Sequence, residues 1–482
     1  MELSGPSCRL IGPLAAALCL ALAALAGSRA DAASGLPLRT AFVDPYVFTG
    51  PDAAVGLGRA AAAGASAIKV PLFWDTVVPA SRPSGFKPAN PSDPAYRWAQ
   101  VDAQLHLVRA HHLEPIVYIA GPPRWAMSKS DGFARPDPAQ YQAFALAAVR
   151  RYAGEAGRPL VRYWEAWNEP NKVPNRHYKP SAAGWYRTMV NAFAASVHSR
   201  AGNVVVAGGL APFGISTAVA PLAFMRSLLC LSAGRHAHAT CSARVHFDIW
   251  STDPYSAGGP THHAFRANDV SIGDLPEMKA VLDAGVAAGH VVSSQPVRFW
   301  VTEFSWDSKP PDPAGVPAAL EGRWVAEGLY RMWSAGVSLV VWFTLRDQPL
   351  HTSPYQSGLY FRGATLTSDR PKPALTAFRF PFVAFRREKK VFVWGRTPTG
   401  GRGTVAPPGA LCLGFAVDAG TWGAGATFSF TAKPYAPASF LAASPLSRWF
   451  TAASTPMLIS FFWTSAAVTP IATAKSFTVP PA

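Results

Sequence analysis

The chain has 482 residues, 49% of them apolar, and its 44 Lys and Arg against 28 Asp and Glu give a formal charge of +16. Such a length supports a large core in two or three domains, although one α/β barrel can take most of it. The basic residues are scattered among Ala, Gly and Pro without an aromatic-interleaved cluster, so the charge reads as a solvated surface, compatible with acidic polysaccharide and excluding a nucleic-acid site.

Residues 1–32 read as an export leader: Arg9, an apolar run from Leu10 to Ala26, then an Ala-x-Ala cleavage site ending at Ala32. The run is short for a membrane span, and Leu18 before Cys19 argues against a lipoprotein box. Removal takes Glu2, Asp31, Arg9 and Arg29 together and leaves the charge unchanged. Cys8 and Cys19 leave with the leader. Cys230 and Cys241, flanking a polar loop with His236 and His238, are the expected disulfide of an exported protein. Their spacing does not fit a zinc motif, so no metal is expected, and Cys412 is left over.

From Thr40 onward short apolar strands alternate with amphipathic helices, which predicts a parallel α/β fold. Strand one is Thr40 to Asp44, followed by a helix near Ala53 to Ala63. Strand two is Ala67 to Phe73, and the next helix shows Trp98, Val101, Leu105 and Val108 on one face. Strand three is Pro115 to Ala120, with a helix from Pro138 to Tyr152. Strand four lies in Arg162-Tyr163-Trp164-Glu165-Ala166-Trp167-Asn168-Glu169-Pro170-Asn171, and the helix after it carries Trp185, Met189, Phe193 and Val197 as a stripe. Strand five is Asn203 to Ala207, before a helix holding Leu222 to Leu231. Strand six is Val245 to Trp250, with a helix from Leu275 to Ala288. Strand seven is Val297 to Thr302, with a helix from Ala318 to Ser334. Strand eight is Ser338 to Thr344, and a closing helix is expected near Pro373 to Ala384. Eight such units predict a (β/α)8 TIM barrel.

Two glutamates, Glu169 and Glu303, fall at the C-terminal ends of strands four and seven, where barrels of this kind build their sites. Glycoside hydrolysis needs such a pair, one carboxyl to protonate the leaving oxygen and one carboxylate to attack or stabilise an oxocarbenium-like carbon. Asn168 beside Glu169 can donate to a sugar hydroxyl. Trp74, Trp125, Trp306 and Trp342 stand near strand ends as candidate platforms for the apolar faces of sugar rings.

At these residues the chain resembles the clan A glycoside hydrolases, the retaining (β/α)8-barrel glycosidases, with families 5 and 39 nearest. Trp167-Asn168-Glu169-Pro170-Asn171 is similar to the clan's strand-four motif and Thr302-Glu303 to its strand-seven motif. The resemblance implies that Glu169 is the acid/base, Glu303 the nucleophile and Asn168 the donor to the sugar 2-hydroxyl. It implies further that Tyr255 orients the nucleophile and that Trp342 floors the subsite of the reacting sugar. Three positions depart from it. Lys69 stands in strand two where family 5 usually has Arg, and supplies charge without the planar fork. Pro122-Pro123-Arg124-Trp125 replaces the His found at the end of strand three in family 5, which favours family 39 or an unassigned relative. Asp253 stands where a His-x-Tyr pattern is common, and a carboxylate there raises neighbouring carboxyl pKa values.

Near Lys389 to Pro398 the chain reads as a first strand of an accessory β domain. From Thr404 to Ala482 the only charged residues are Asp418, Lys433, Arg448 and Lys475, poor in charge for a solvated sandwich. Three readings compete there: a carbohydrate-binding or wall-associating β module, a disordered tail, or a reading-frame change near Gly400. The last two are favoured. The expected organisation is therefore a leader (1–32), a barrel (33–388) and an accessory β-like or disordered segment (389–482). The expected protein is a secreted retaining glycoside hydrolase of β-linked oligo- or polysaccharides, with no cofactor, no nucleic-acid partner and no membrane role beyond export. A non-catalytic glycan-binding barrel and a transglycosylase are the alternatives. Sugar, linkage, endo or exo action and oligomeric state do not follow from the sequence.

Overall fold

The computed structural model describes residues 36–128, 135–173, 179–234, 238–387, 390–398, 404–406, 427–432 and 462–464. The leader, His236, Cys412 and most of the chain after 398 lie outside them. Eight parallel strands close into a barrel: β1 (Arg39–Val43), β2 (Ala67–Phe73), β3 (Glu114–Ala120), β4 (Tyr163–Ala166), β5 (Val204–Leu210), β6 (Ile249–Thr252), β7 (Arg298–Phe304) and β8 (Val337–Phe343). They pair in sequence order, and β8 returns to β1 with Arg39 opposite Leu339. A helix follows each strand: α1 (Ala53–Ala62), α2 (Ala99–Ala110), α3 (Pro138–Arg151), α4 (Lys179–Val197), α5 (Pro221–Leu228), α6 (Leu275–Ala287), α7 (Ala318–Ser334) and α8 (Pro373–Arg379). None of the described helices is long and apolar enough to cross a membrane.

The barrel has two apolar layers because alternate residues of each strand face opposite ways. Inside, Ala41, Val43, Ala67, Ile116, Val204, Val206, Ile249, Trp300, Leu339, Val341 and Phe343 fill the lumen. Outside, residues of the other parity, such as Phe42, Trp164, Trp250 and Trp342, meet the helices. Toward the C-terminal end the lumen turns polar, with Lys69, Glu165, Ser251, Thr302 and Asp253 all buried. Asp44, at the end of β1, closes the seam. Its carboxylate accepts from the backbone of Tyr46, Val47 and, across on β8's loop, Leu345. Burial pushes its pKa up to about 6.

Strand six differs from expectation. Val245–His246 pairs with Val291–Val292 in a separate ladder, and the barrel strand begins only at Ile249. The break falls at Asp248, whose buried carboxylate takes His198 (2.8 Å), the Val205 amide (2.9 Å) and Ser293 (2.7 Å). The closing helix also stops early, at Arg379, because Phe382–Arg387 forms β9 and pairs antiparallel with β10 (Lys390–Arg396), which pairs with β11 (Thr427–Ala432). This sheet therefore starts before residue 389. It rests on the barrel: Trp394 meets Tyr330 and Trp333 of α7, and the Arg396 guanidinium donates to Leu38 O and Gly64 O. Cys230 and Cys241 are joined, with Cα atoms 5.2 Å apart.

Candidate active site

Lys69 is the centre of the polar layer. Its ammonium, 1% exposed, lies 3.1 Å from Glu165 Oε1, 3.1 Å from Asn168 Oδ1 and 3.5 Å from Thr302 O, and 4.9 Å above the Tyr118 ring. One side chain from β2 thus ties the ends of β4 and β7 together. Burial opposes its charge, but Glu165, Asp253 and Glu303 outweigh burial and hold its pKa above the ordinary 10.5. With its oxygen taken by Lys69, Asn168 is left with its amide N–H groups to offer a ligand.

Glu303 faces the mouth because of a β-bulge. Between Val340 and Trp342 of β8 the partners on β7 advance from Val301 to Phe304, one residue too many for regular pairing. The extra residue lets both Thr302 and Glu303 turn toward the lumen, where Thr302 donates to Asp253 (2.9 Å) and Glu303 Oε1 accepts from the Tyr255 hydroxyl (2.8 Å). Burial pushes the Glu303 carboxyl up, Lys69 and the Tyr255 hydrogen bond pull it down, and Glu169 pushes it up again. Asp253 is pushed well above the carboxylate range, by burial and then by Glu303, Glu169 and Glu165, against Lys69. Its second oxygen has no partner among the described residues.

Glu169 sits just past β4 on a strained turn. Trp167 (φ 74°) and Glu169 (φ 47°) both occupy the left-handed region, which costs a non-glycine residue of order 1 kcal/mol or more. Neighbours hold them there. Trp167 is edge-on to Tyr141 and Trp185, the Glu169 amide donates to Gly209 O (2.9 Å), and Lys172 contacts the Glu169 carboxylate. Gly209 (φ 56°) is required on two counts: a Cβ there would lie 2.8 Å from Glu165 Oε1, and the backbone angle disfavours any other residue. Asn171, fully buried, staples the same turn to β5's loop through Ala211 and Val219.

The four tryptophans fare differently. Trp342 is not a platform: it is 1% exposed, has outward parity, packs on Phe304 and Phe378, and donates its indole N–H to Ser357 O. Phe343, the next residue, is the one of inward parity. Trp74 is buried flat against Phe144 of α3, and Trp306 is buried with its N–H on Gly258 O. Trp125 alone keeps part of its surface, between Trp74, Phe86 and the Arg82 guanidinium. The aromatics exposed on this face are others: Tyr46, Phe73, Phe213, Phe265 and Tyr355. Glu165 and Tyr118 were also not anticipated. Glu165 had a signal, a carboxylate inside a buried strand, which demands a partner such as the equally misplaced Lys69.

Fold and site together define a (β/α)8 barrel with a two-carboxylate centre at the C-terminal ends of its strands. Solved structures similar to the chain include a family 39 glycoside hydrolase from Bacteroides cellulosilyticus WH2 (16% identity, 78% of this chain and 74% of that one, TM-score 0.47). A monomeric beta-xylosidase from Caulobacter crescentus CB15 (17%, 77% and 76%, 0.45) and a glucosidase from Croceicoccus marinus (14%, 76% and 76%, 0.46) are similar as well. At such identities and TM-scores they say nothing of this chain's own chemistry. No family model and no curated protein matches it.

Proposed function

We propose that the chain is an exported glycoside hydrolase that cleaves β-linked oligo- or polysaccharides by double displacement. The observation that carries this reading is the pair of carboxylates at the barrel mouth, Glu303 held by the Tyr255 hydroxyl at the end of β7 and Glu169 held on the left-handed turn after β4 by its amide bond to Gly209 O. Glu303 attacks the anomeric carbon while Glu169 gives its proton to the departing oxygen. A water then loses its proton to Glu169 and displaces Glu303, restoring both groups. Asn168, oriented by Lys69, donates to the sugar hydroxyl beside the reacting carbon. Lys172 has a largely exposed side chain, and its contact with Glu169 is one a substrate can displace. Retention requires carboxyl groups about 5 to 5.5 Å apart, against about 6.5 to 9.5 Å for inversion. The Cys230–Cys241 bond supports an oxidising compartment, in keeping with the leader.

The test is release of reducing sugar from a panel of β-linked glycans by the wild type and its Glu169→Gln and Glu303→Gln forms, with the first-formed anomer read by NMR. Turnover abolished in both variants and a product of retained configuration are expected. Turnover that survives both substitutions would refute the assignment.

A further inference from the structure

A groove of about 480 Å³ runs between the loop after β1 and the loop after β8, in the size range of ligand sites. It lies at the same end of the barrel as the carboxylates, because both loops follow the C-terminal ends of their strands, and the Tyr355 ring on its wall stands edge-on to Phe343 at the top of β8. Tyr46 lines it from the β1 side, and both tyrosines are exposed. Aromatic surface beside a glycan-cleaving centre suits sugar rings.

The charged groups of the groove are mostly cationic, two guanidinia against one carboxylate. Arg346, 7% exposed, spends one guanidinium nitrogen on Asp369 and Gly363 O, while its Nε–H has no acceptor among the described residues. Asp369 is saturated, because its other oxygen takes Arg59. Gln348, also buried, has an amide nitrogen without an acceptor. Arg362 is exposed, reaches only Asp347 O at 3.4 Å, and pairs with no carboxylate among the described residues. Against these donors the lining holds one carboxylate, Asp52, at the start of α1. Burial lowers the proton affinity of Arg346, Asp369 opposes that and the nearby Arg362 lowers it further; Asp369 answers Arg346, which leaves Arg362 as the guanidinium without a carboxylate of its own among the described residues. A planar fork of N–H donors is the complement of a carboxylate.

We infer that this groove is a subsite for a carboxylate-bearing sugar unit, a uronic acid in the same glycan that the barrel cleaves. Arg362 supplies the charge, the buried Arg346 and Gln348 supply further donors, and Tyr46 and Tyr355 cover the ring. The inference rests on the glycosidase reading, and it is separable from it by measuring binding apart from turnover.

The full chain carrying Glu303→Gln is titrated calorimetrically, at near-physiological salt, with glucuronoxylan and hyaluronan and with the same two polymers after carboxyl reduction. Reduction turns each uronic acid into a neutral sugar without altering the linkages. At least one native polymer is expected to bind threefold or more tighter than its reduced form, with about tenfold the value of one charge-assisted hydrogen bond. Adding Arg362→Gln should bring that ratio below threefold. Arg109→Gln, at the opposite end of the barrel, removes the same charge and should leave the ratio as it was. A ratio below threefold for both pairs, absence of binding included, overturns the inference, as does a ratio that Arg362→Gln leaves intact. Preference in binding without any wild-type turnover would keep the groove and sink the hydrolase. Turnover of neutral glycans with no preference would do the reverse.

Discussion

Replacing Lys69 by Met should uncouple the two roles of the buried ammonium. The substitution removes three contacts, to Glu165, Asn168 and Thr302, at a site where Lys69 is 1% and Glu165 0% exposed. Breaking such a pair by deleting one partner typically costs about 3–5 kcal/mol, because the other charge stays buried. Glu165 can take up a proton, and burial already pushes its pKa upward, so about 2–4 kcal/mol is expected in urea denaturation. The catalytic loss is separate. Without its hydrogen bond to Lys69, Asn168 no longer presents its amide in one orientation, and Glu303 loses a neighbouring positive charge. One charge-assisted bond at about 1.5–3 kcal/mol corresponds to a fall of roughly 10- to 100-fold, in kcat more than in KM because the contact strengthens in the transition state. The double variant Lys69→Met/Glu165→Gln removes the orphaned charge and should recover most of the stability. Its activity should stay low, since nothing replaces the bond to Asn168. A folded Lys69→Met protein within threefold of wild-type kcat, or a double variant that regains activity with stability, would refute this division of labour.

Glu321, fully buried on α7 with neither carboxyl oxygen partnered among the described residues, should impose a pH dependence on stability. Burial raises its pKa from 4.5 to about 8, with Lys372 opposing. The native state thus holds a proton that the unfolded chain releases, and stability falls as pH rises from about 4.5 through 8. At 1.36 kcal/mol per pH unit the ceiling is about 5 kcal/mol, and Glu321→Gln should lessen that decline by about 2–4 kcal/mol in melts at pH 5 and 8.5. An unchanged slope would show that the carboxyl is ionised in the fold. Asp253→Asn should retain kcat/KM within about threefold at pH 6, because burial favours the neutral form of the native side chain and Thr302 can still donate to the amide oxygen; a loss beyond thirtyfold would mean that its charge is used. Gly209→Ala should lower kcat/KM by about tenfold or more and stability by about 1–3 kcal/mol, through the clash with Glu165 and the shift of Glu169. Gly202→Ala, with a similar backbone angle and open space around it, should cost stability alone.

The barrel was legible because each unit switches between a short apolar run and a helical stripe, and the eight predicted units overlap the eight observed. What failed was parity. β8 reads Val-Ser-Leu-Val-Val-Trp-Phe, and a strand buried on both faces carries no alternation to say which residues face the lumen. Trp342 therefore looked like a floor and turned out to be a wedge under α8, with Phe343 facing in. Strand six failed for a related reason: Val245 to Trp250 is an apolar stretch interrupted by His246 and Asp248, and nothing local reveals that this aspartate is claimed by His198, Val205 and Ser293 from elsewhere in the fold. The bulge that turns Glu303 inward and the left-handed turn at Trp167 and Glu169 are likewise set by neighbouring strands. No window of sequence contains them.

Lys69 and Asp253, which the sequence presents as two unrelated departures, become one arrangement when charges are counted. Glu165, Asp253 and Glu303 are the carboxyls that the Lys69 ammonium feels. Were all three ionised, the mouth of the barrel would hold two uncompensated negative charges, and like charges about 4 Å apart repel by about 4 kcal/mol at the effective dielectric of such sites. One carboxyl must keep its proton. Asp253 fits that role, being fully buried, pushed well above the carboxylate range, and left with one oxygen that no described residue occupies. Lys69 is then balanced by the carboxylate it touches, Glu165. The charge left over belongs to Glu303, the group steadied by the Tyr255 hydroxyl, which is where an electron-poor anomeric carbon needs it. A lysine suits this plan better than an arginine would. Its slender stem passes through the lumen, and a compact ammonium divides three contacts among β4, the turn after it and β7, whereas a guanidinium presents its donors in one fixed plane.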